Sequence, residues 1–89
     1  MKGNLHTLKI LPEFYDAIKL KIKTFEVRFN DRSYGEGDIL RLKEWNGEFY
    51  TGRMLTVLVT YVLEDERFCK KGFVIMSVTV LDEEVKPYR

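Results

Sequence analysis

The chain holds one cysteine, one histidine, one tryptophan and two prolines in 89 residues. None of its apolar runs approaches the roughly 20 residues that cross a bilayer as a helix. Each scarcity excludes something. Cys69 alone cannot close an internal disulfide, and with only His6 beside it in the inventory it cannot build a zinc site of ordinary composition. A reducing, cytoplasmic setting with no membrane partner is the expectation. Metal-ligand clusters, phosphate-cradling glycine loops, nucleophile elbows and dinucleotide fingerprints are all missing, so neither a metal nor a cofactor is expected. Gly35-Glu36-Gly37 lacks a third spaced glycine and runs into a strand pattern, which is turn chemistry. An excess of either charge is missing too, with 15 Lys/Arg against 14 Asp/Glu. The net charge is +1, which argues against a strongly basic nucleic-acid binder. The first 43 residues nevertheless carry nine Lys/Arg against six Asp/Glu, and the remainder six against eight.

What is present is an ordinary globular composition, 45% hydrophobic and 33% charged, in a length that suits one domain with one core. Leu5 to Leu11 alternates as a strand, with His6, Leu8 and Ile10 on one face. Pro12 stops it and suits the first position of a helix, whose expected buried stripe is Phe14, Ala17, Ile18 and Leu20. A second strand is expected over Lys23 to Phe29, and a glycine-bearing loop over Asn30 to Asp38. A third strand over Ile39 to Trp45 follows, closed by Asn46-Gly47 as a two-residue hairpin turn. Phe49 to Thr51 reads as a short strand kinked at Gly52, and Met54 to Leu63 as a central one with apolar residues on both faces. Phe73 to Leu81 is the last strand, and a polar C-terminal tail is expected from about residue 82. Five or six strands with one or two short helices predict a mainly β, α+β fold. Closing those strands into a small barrel, with a helix plugging one end, would remove exposed sheet edges.

The stretch with the most chemistry is Lys23-Thr24-Phe25-Glu26-Val27-Arg28. A period of two puts Thr24, Glu26 and Arg28 on one face, ~7 Å apart in succession, and assigns Phe25, Val27 and Phe29 to the core. Lys23, at the junction with the helix, can turn toward the same side. A lysine and an arginine flanking a carboxylate suit a phosphate or a base edge. The competing reading is an edge strand whose charges prevent aggregation. His6 ends its apolar face where a rim position near Lys23 is expected, although a lone histidine there more often serves structure. Arg41, Lys43 and Trp45 form a basic and aromatic stripe suited to a single nucleic-acid strand, or to snorkelling side chains over a ring.

His6-x-Leu8-Lys9-Ile10, the helix after it, Lys23-Thr24-x-Glu26-x-Arg28, Asn30-Asp31-Arg32 and Gly37-Asp38-Ile39-Leu40 resemble, in this order, the ASCH domain of the PUA-like superfamily. Glu44-Trp45 through Tyr50-Thr51-Gly52-Arg53 extends the resemblance to a small bacterial and phage subfamily of uncharacterised function. The resemblance implies a PUA-like β-barrel whose cleft, beside the helix, binds RNA or a nucleotide-like ligand. Lys23, Thr24, Glu26 and Arg28 would line it, with His6 nearby; in the binding reading Arg32 joins Arg28 and Lys23 in holding a phosphate or a carbonyl. A catalytic branch of ASCH proteins is similar through Lys-Thr-x-Thr-x-Arg and hydrolyses acetylated cytidine, with the second threonine as nucleophile. This chain has Glu26 there, which moves the expectation from turnover toward binding; an amidohydrolase using Lys23, Thr24 and Glu26 is the alternative, and a protein-interaction domain without a cleft the third. The family usually has glycine before the Lys-Thr pair, where this chain has Lys21-Ile22. Lys21 is therefore expected either to strain into a left-handed conformation or to sit in a different turn.

Overall fold

The computed structural model describes residues 3–86. They form β1 (Leu5–Ile10), α1 (Pro12–Lys19), β2 (Phe25–Phe29), β3 (Ile39–Trp45), β4 (Tyr50–Leu63) and β5 (Phe73–Val85). The strands make one curled sheet in the order β1-β3-β4-β5-β2, with β1 and β3 parallel and the other pairs antiparallel. The class is mainly β with a single short helix, but the five strands make a half-barrel rather than a closed one: β1 and β2 are its two edges and share no ladder. Register shifts at Thr56/Val57 and Val59/Tyr61 lie along the long β4–β5 pair, where extra residues bend and twist a ribbon.

The core lies on the inner face. Leu8 and Ile10 of β1, Leu40 and Leu42 of β3, Leu55 and Val57 of β4, and Val74 and Met76 of β5 are buried, each set at a spacing of two. Pro12 opens α1 as expected, and the helix adds Tyr15 and Ile18 to this core. Phe14 and Leu20, expected inside, are 40% and 65% exposed. Tyr15 takes the place because its ring fills the core while its hydroxyl donates to Glu83 at 2.7 Å. Burial, then that hydrogen bond, pushes the Tyr15 hydroxyl well above the ordinary tyrosine value.

The helix ends in a Schellman arrangement: Ile22 N–H donates to Ala17 O and Lys21 N–H to Ile18 O, both at 2.9 Å. Lys21 carries the positive φ, 63°, that the motif demands and that glycine adopts freely. The strained alternative is the one adopted.

Four further expectations change. The face Phe25-Val27-Phe29 is 43–56% exposed, and the polar face of β2 turns inward. Register explains it: Glu26 lies opposite Met76 and Arg28 opposite Val74, both on the buried face of β5, while Val27 lies opposite Ile75. The stretch expected as a polar tail is strand to Val85, paired with Arg53 to Thr56 of β4; residues 87–89 lie outside the described ones. β4 runs unbroken through Gly52, which takes φ 101°. The β3–β4 loop spans residues 46–49 rather than two, because the Asn46 side chain accepts from the N–H of Glu48 and of Phe49.

Candidate functional site

Among the described residues three carboxylates are buried, Glu26, Asp38 and Glu44, and a buried charge must be paired and hydrogen-bonded to persist. Asp38 is held at the start of β3. It accepts from Asn4 N–H (3.0 Å), Gly35 N–H (2.9 Å) and His6 Nε2 (2.8 Å). Burial pushes its carboxyl up, but those hydrogen bonds outweigh it and hold the group below the ordinary value of 3.8. Glu44 accepts from Arg53 Nε (2.8 Å) and Nη2 (2.7 Å) and from the Thr51 hydroxyl. Arg53 continues to Asp16 of α1 at 2.9 Å and lies 4.2 Å over the Tyr15 ring. The Arg53 hydrogen bonds, acting against burial and helped by Thr51, keep Glu44 below its ordinary 4.5. This cluster clamps helix to sheet.

Glu26 is different. Its Oε1 accepts from Lys23 Nζ at 3.0 Å and its Oε2 from Arg28 Nε at 2.9 Å. Lys23 Nζ also donates to Phe25 O at 2.6 Å and lies 4.7 Å from the Phe25 ring centroid and 5.5 Å from that of Phe14. Arg28 Nη2 reaches across to the free edge of β1 and donates to Lys9 O at 2.7 Å. Arg32 Nη1 lies 3.5 Å from Thr7 O on the same edge. Alternate residues of a strand aim their carbonyls to the same side, so Thr7 and Lys9 offer acceptors where β1 lacks a neighbour. Two guanidinium groups thus bridge the seam that no backbone ladder closes.

A cleft of about 500 Å³ opens in this seam, lined by Lys9, Ile10, Leu11, Phe14, Lys23, Phe25, Glu26, Val27 and Arg28. Its walls are mostly apolar, and its polar groups are the Glu26 carboxylate with its two cations and Lys9. That is the composition of a small-molecule site, in which apolar surface supplies contact and a few placed polar groups fix orientation.

The structure brings Lys23, Glu26 and Arg28 together here. Thr24, outside the β2 ladder, lines a separate hollow of about 180 Å³ beside Ile18, Lys21 and Val78 and shares only Lys23 with the cleft. His6 is packed edge-on against Tyr34, ring centroids 4.8 Å apart, with Asp38 behind it, so its described partners are structural. Arg32 lies along the seam rather than in the cleft.

Four participants escape sequence reasoning. Amphipathic pattern assigns Phe14 and Phe25 to the core, and alternation makes Lys9 only an outward residue of the first strand. Tyr34, in the loop before β3, is buried beside the seam; burial pushes its hydroxyl up and nearby Arg28 and Arg32 pull it down, with a net rise. No periodicity marks a loop residue, so only its aromatic character in a turn-rich stretch hints at it.

Among the described residues no group of three or more His, Cys, Asp and Glu is placed to hold a metal ion, and no helix is long and apolar enough to cross a membrane. A family model described as a domain of unknown function, DUF3850, matches residues 5–78. The chain is also similar to an uncharacterized 12.9 kDa protein in the GpA 3′ region of Escherichia phage P2, 33% identical over 64 residues. That match covers 72% of this chain and 59% of the phage protein, so the chain spans less than two thirds of that relative's length.

Proposed function

The chain belongs to the DUF3850 family, a domain of unknown function, and from that starting point we propose that it is a binding module for RNA or a nucleotide-like ligand. We place it, on the order of its motifs, with the ASCH domains of the PUA-like superfamily. One observation carries the reading: a buried carboxylate held between a lysine and an arginine at the base of an apolar cleft, in the gap between two unpaired sheet edges. A planar base has apolar walls, Phe14 and Phe25 among them, to lie against. Arg28 and Lys23 meet its carbonyl groups or a phosphate, and the free lone pairs of Glu26 accept from an exocyclic amino group.

A concavity adjoins the polar row, which favours a ligand site over a merely protected edge. The same geometry argues for binding rather than turnover. Thr24 lines the other hollow, so its hydroxyl does not stand beside Glu26 to be activated. Incubation with acetylated cytidine followed by chromatography is expected to return the substrate unchanged; deacetylation above buffer would put the amidohydrolase reading in its place.

Thermal denaturation with nucleosides, nucleotides and short RNAs tests the binding reading, because a ligand of the native state raises apparent stability. At least one of these should raise the midpoint in the parent and act more weakly on Arg28→Ala. A panel without effect on the parent would remove it.

A further inference from the structure

Lys9 belongs to two places at once. Its backbone carbonyl holds Arg28 and it lines the seam cleft, yet its ammonium lies 4.1 Å over the Trp45 ring on the outward side of the sheet. Trp45 meets Tyr50 edge-to-face, centroids 5.0 Å apart, and Lys43 Nζ lies 4.4 Å over Tyr50. The register sets Lys9 beside Lys43 and Thr7 beside Arg41. Continuing across the sheet, Lys43 faces Met54 and then Glu84, while Arg41 faces Thr56 and then Asp82. The outward face is therefore basic and aromatic along β1 and β3, next to the cleft, and acidic along β5.

Among the described residues, Lys9, Lys21, Arg41, Lys43, Lys70 and Lys71 have no carboxylate within ion-pair distance, and of these Lys9, Arg41 and Lys43 stand side by side on β1 and β3. A hollow of about 560 Å³ lies over this face, with Thr7, Arg41, Lys43 and Tyr50 on its basic side and Asp82 and Glu84 on its acidic side. Unpaired cations interleaved with partly exposed rings are what a single nucleic-acid strand uses, phosphates on the ammonium groups and bases on the aromatic faces. Asp82 and Glu84 would repel phosphates and confine the strand to the β1–β3 side.

We infer that the ligand is a single strand of nucleic acid several nucleotides long, with one base in the seam cleft and its neighbours passing over Lys9 onto Trp45, Tyr50, Lys43 and Arg41. The inference rests on the cleft reading, since continuity through Lys9 is what joins the two surfaces.

The test compares a mixed-sequence RNA hexamer with the four nucleoside 5′-monophosphates, on the parent and on the double variant Arg41→Gln/Lys43→Gln. Both substitutions lie on the outward face, and circular dichroism confirms that the fold is kept. In the parent the hexamer should bind at least tenfold more tightly than the best monophosphate. It should also quench the emission of Trp45, the only tryptophan, while the monophosphate leaves that emission unchanged. The double variant should keep monophosphate affinity, lose the gain from length, and show a salt slope shallower by about 0.7 for each phosphate contact removed. A hexamer no tighter than a monophosphate, or one that binds the variant as it binds the parent, overturns the outer surface and leaves the cleft reading intact. Hexaglutamate binding as tightly as the RNA would assign the face to an acidic peptide instead. Absence of monophosphate binding removes the cleft reading and the shared path with it.

Discussion

Glu26 and Glu44 are 4% exposed each, and each accepts from an arginine, yet their surroundings give them opposite work. Glu44 accepts from Arg53 and Thr51 of β4, and Arg53 goes on to Asp16 and the Tyr15 ring of α1, which ties helix to sheet. Glu26 has partners from its own strand and its approach, Arg28 and Lys23, and those same cations face a cleft. Burial of a paired carboxylate therefore does not by itself mark a site. What distinguishes the two is where the partners lead: Arg53 carries Glu44 on to Asp16 of the helix, whereas Lys23 and Arg28 hold Glu26 beside a mostly apolar cleft at the seam.

The contrast is sharpest in what happens when an arginine is removed. Arg53→Met should cost about 3 kcal/mol in urea unfolding, because Glu44 stays buried without its counter-charge; a loss below about 1 kcal/mol would mean that the cluster does not anchor the helix. Adding Glu44→Gln to Arg53→Met should recover some of that loss, since no ion is then left unpaired.

Acid probes the structural carboxylates without mutation. Asp38 and Glu44 have folded-state values below their ordinary 3.8 and 4.5, so their contributions are full above those ordinary values and are lost as pH falls through the lower folded ones. Stability should therefore decline only below about pH 4.5, and Arg53→Met should flatten the Glu44 contribution to that decline. An unchanged acid profile in the variant would uncouple the two residues.

Arg28→Ala should cost less than Arg53→Met, about 1–2 kcal/mol of stability, because Lys23 still neutralises Glu26 and water can enter the open cleft. Its larger effect should be on affinity, at least tenfold for the ligand found by thermal screening. If stability falls as far as in Arg53→Met, the two clusters are alike after all. The smallest effect is expected at the helix end that leads into the cleft. Lys21→Gly should stabilise by about 0.5–1 kcal/mol by relieving the left-handed conformation, with ligand affinity unchanged.

Much of this is legible in the chain. Period-two alternation locates β1, β3 and the inner face of each, and Pro12 fixes the start of α1. The same alternation correctly groups Glu26 with Arg28 but cannot say which face of β2 looks inward. Hydrophobicity points to Phe25, Val27 and Phe29, and pairing with β5 decides otherwise. Amphipathic pattern prefers Phe14 to Tyr15 because the tyrosine hydroxyl needs a partner, Glu83, from 68 residues further along. The run from 82 looks like a tail because it is polar, yet β4 is long enough to pair with it. The cleft is only half visible. Lys23, Glu26 and Arg28 are close in sequence, whereas Lys9 and Phe14 reach it through the fold.

The seam has a mechanical consequence. Widening a barrel closed by a ladder breaks a row of backbone hydrogen bonds together, since the strands separate as a unit. Here the two edges are joined by Arg28 to Lys9 O and Arg32 to Thr7 O, side-chain bonds that can open independently of each other. The closure is a clasp rather than a weld, and the width of the slit can change by a rotamer while every strand pair of the sheet stays intact.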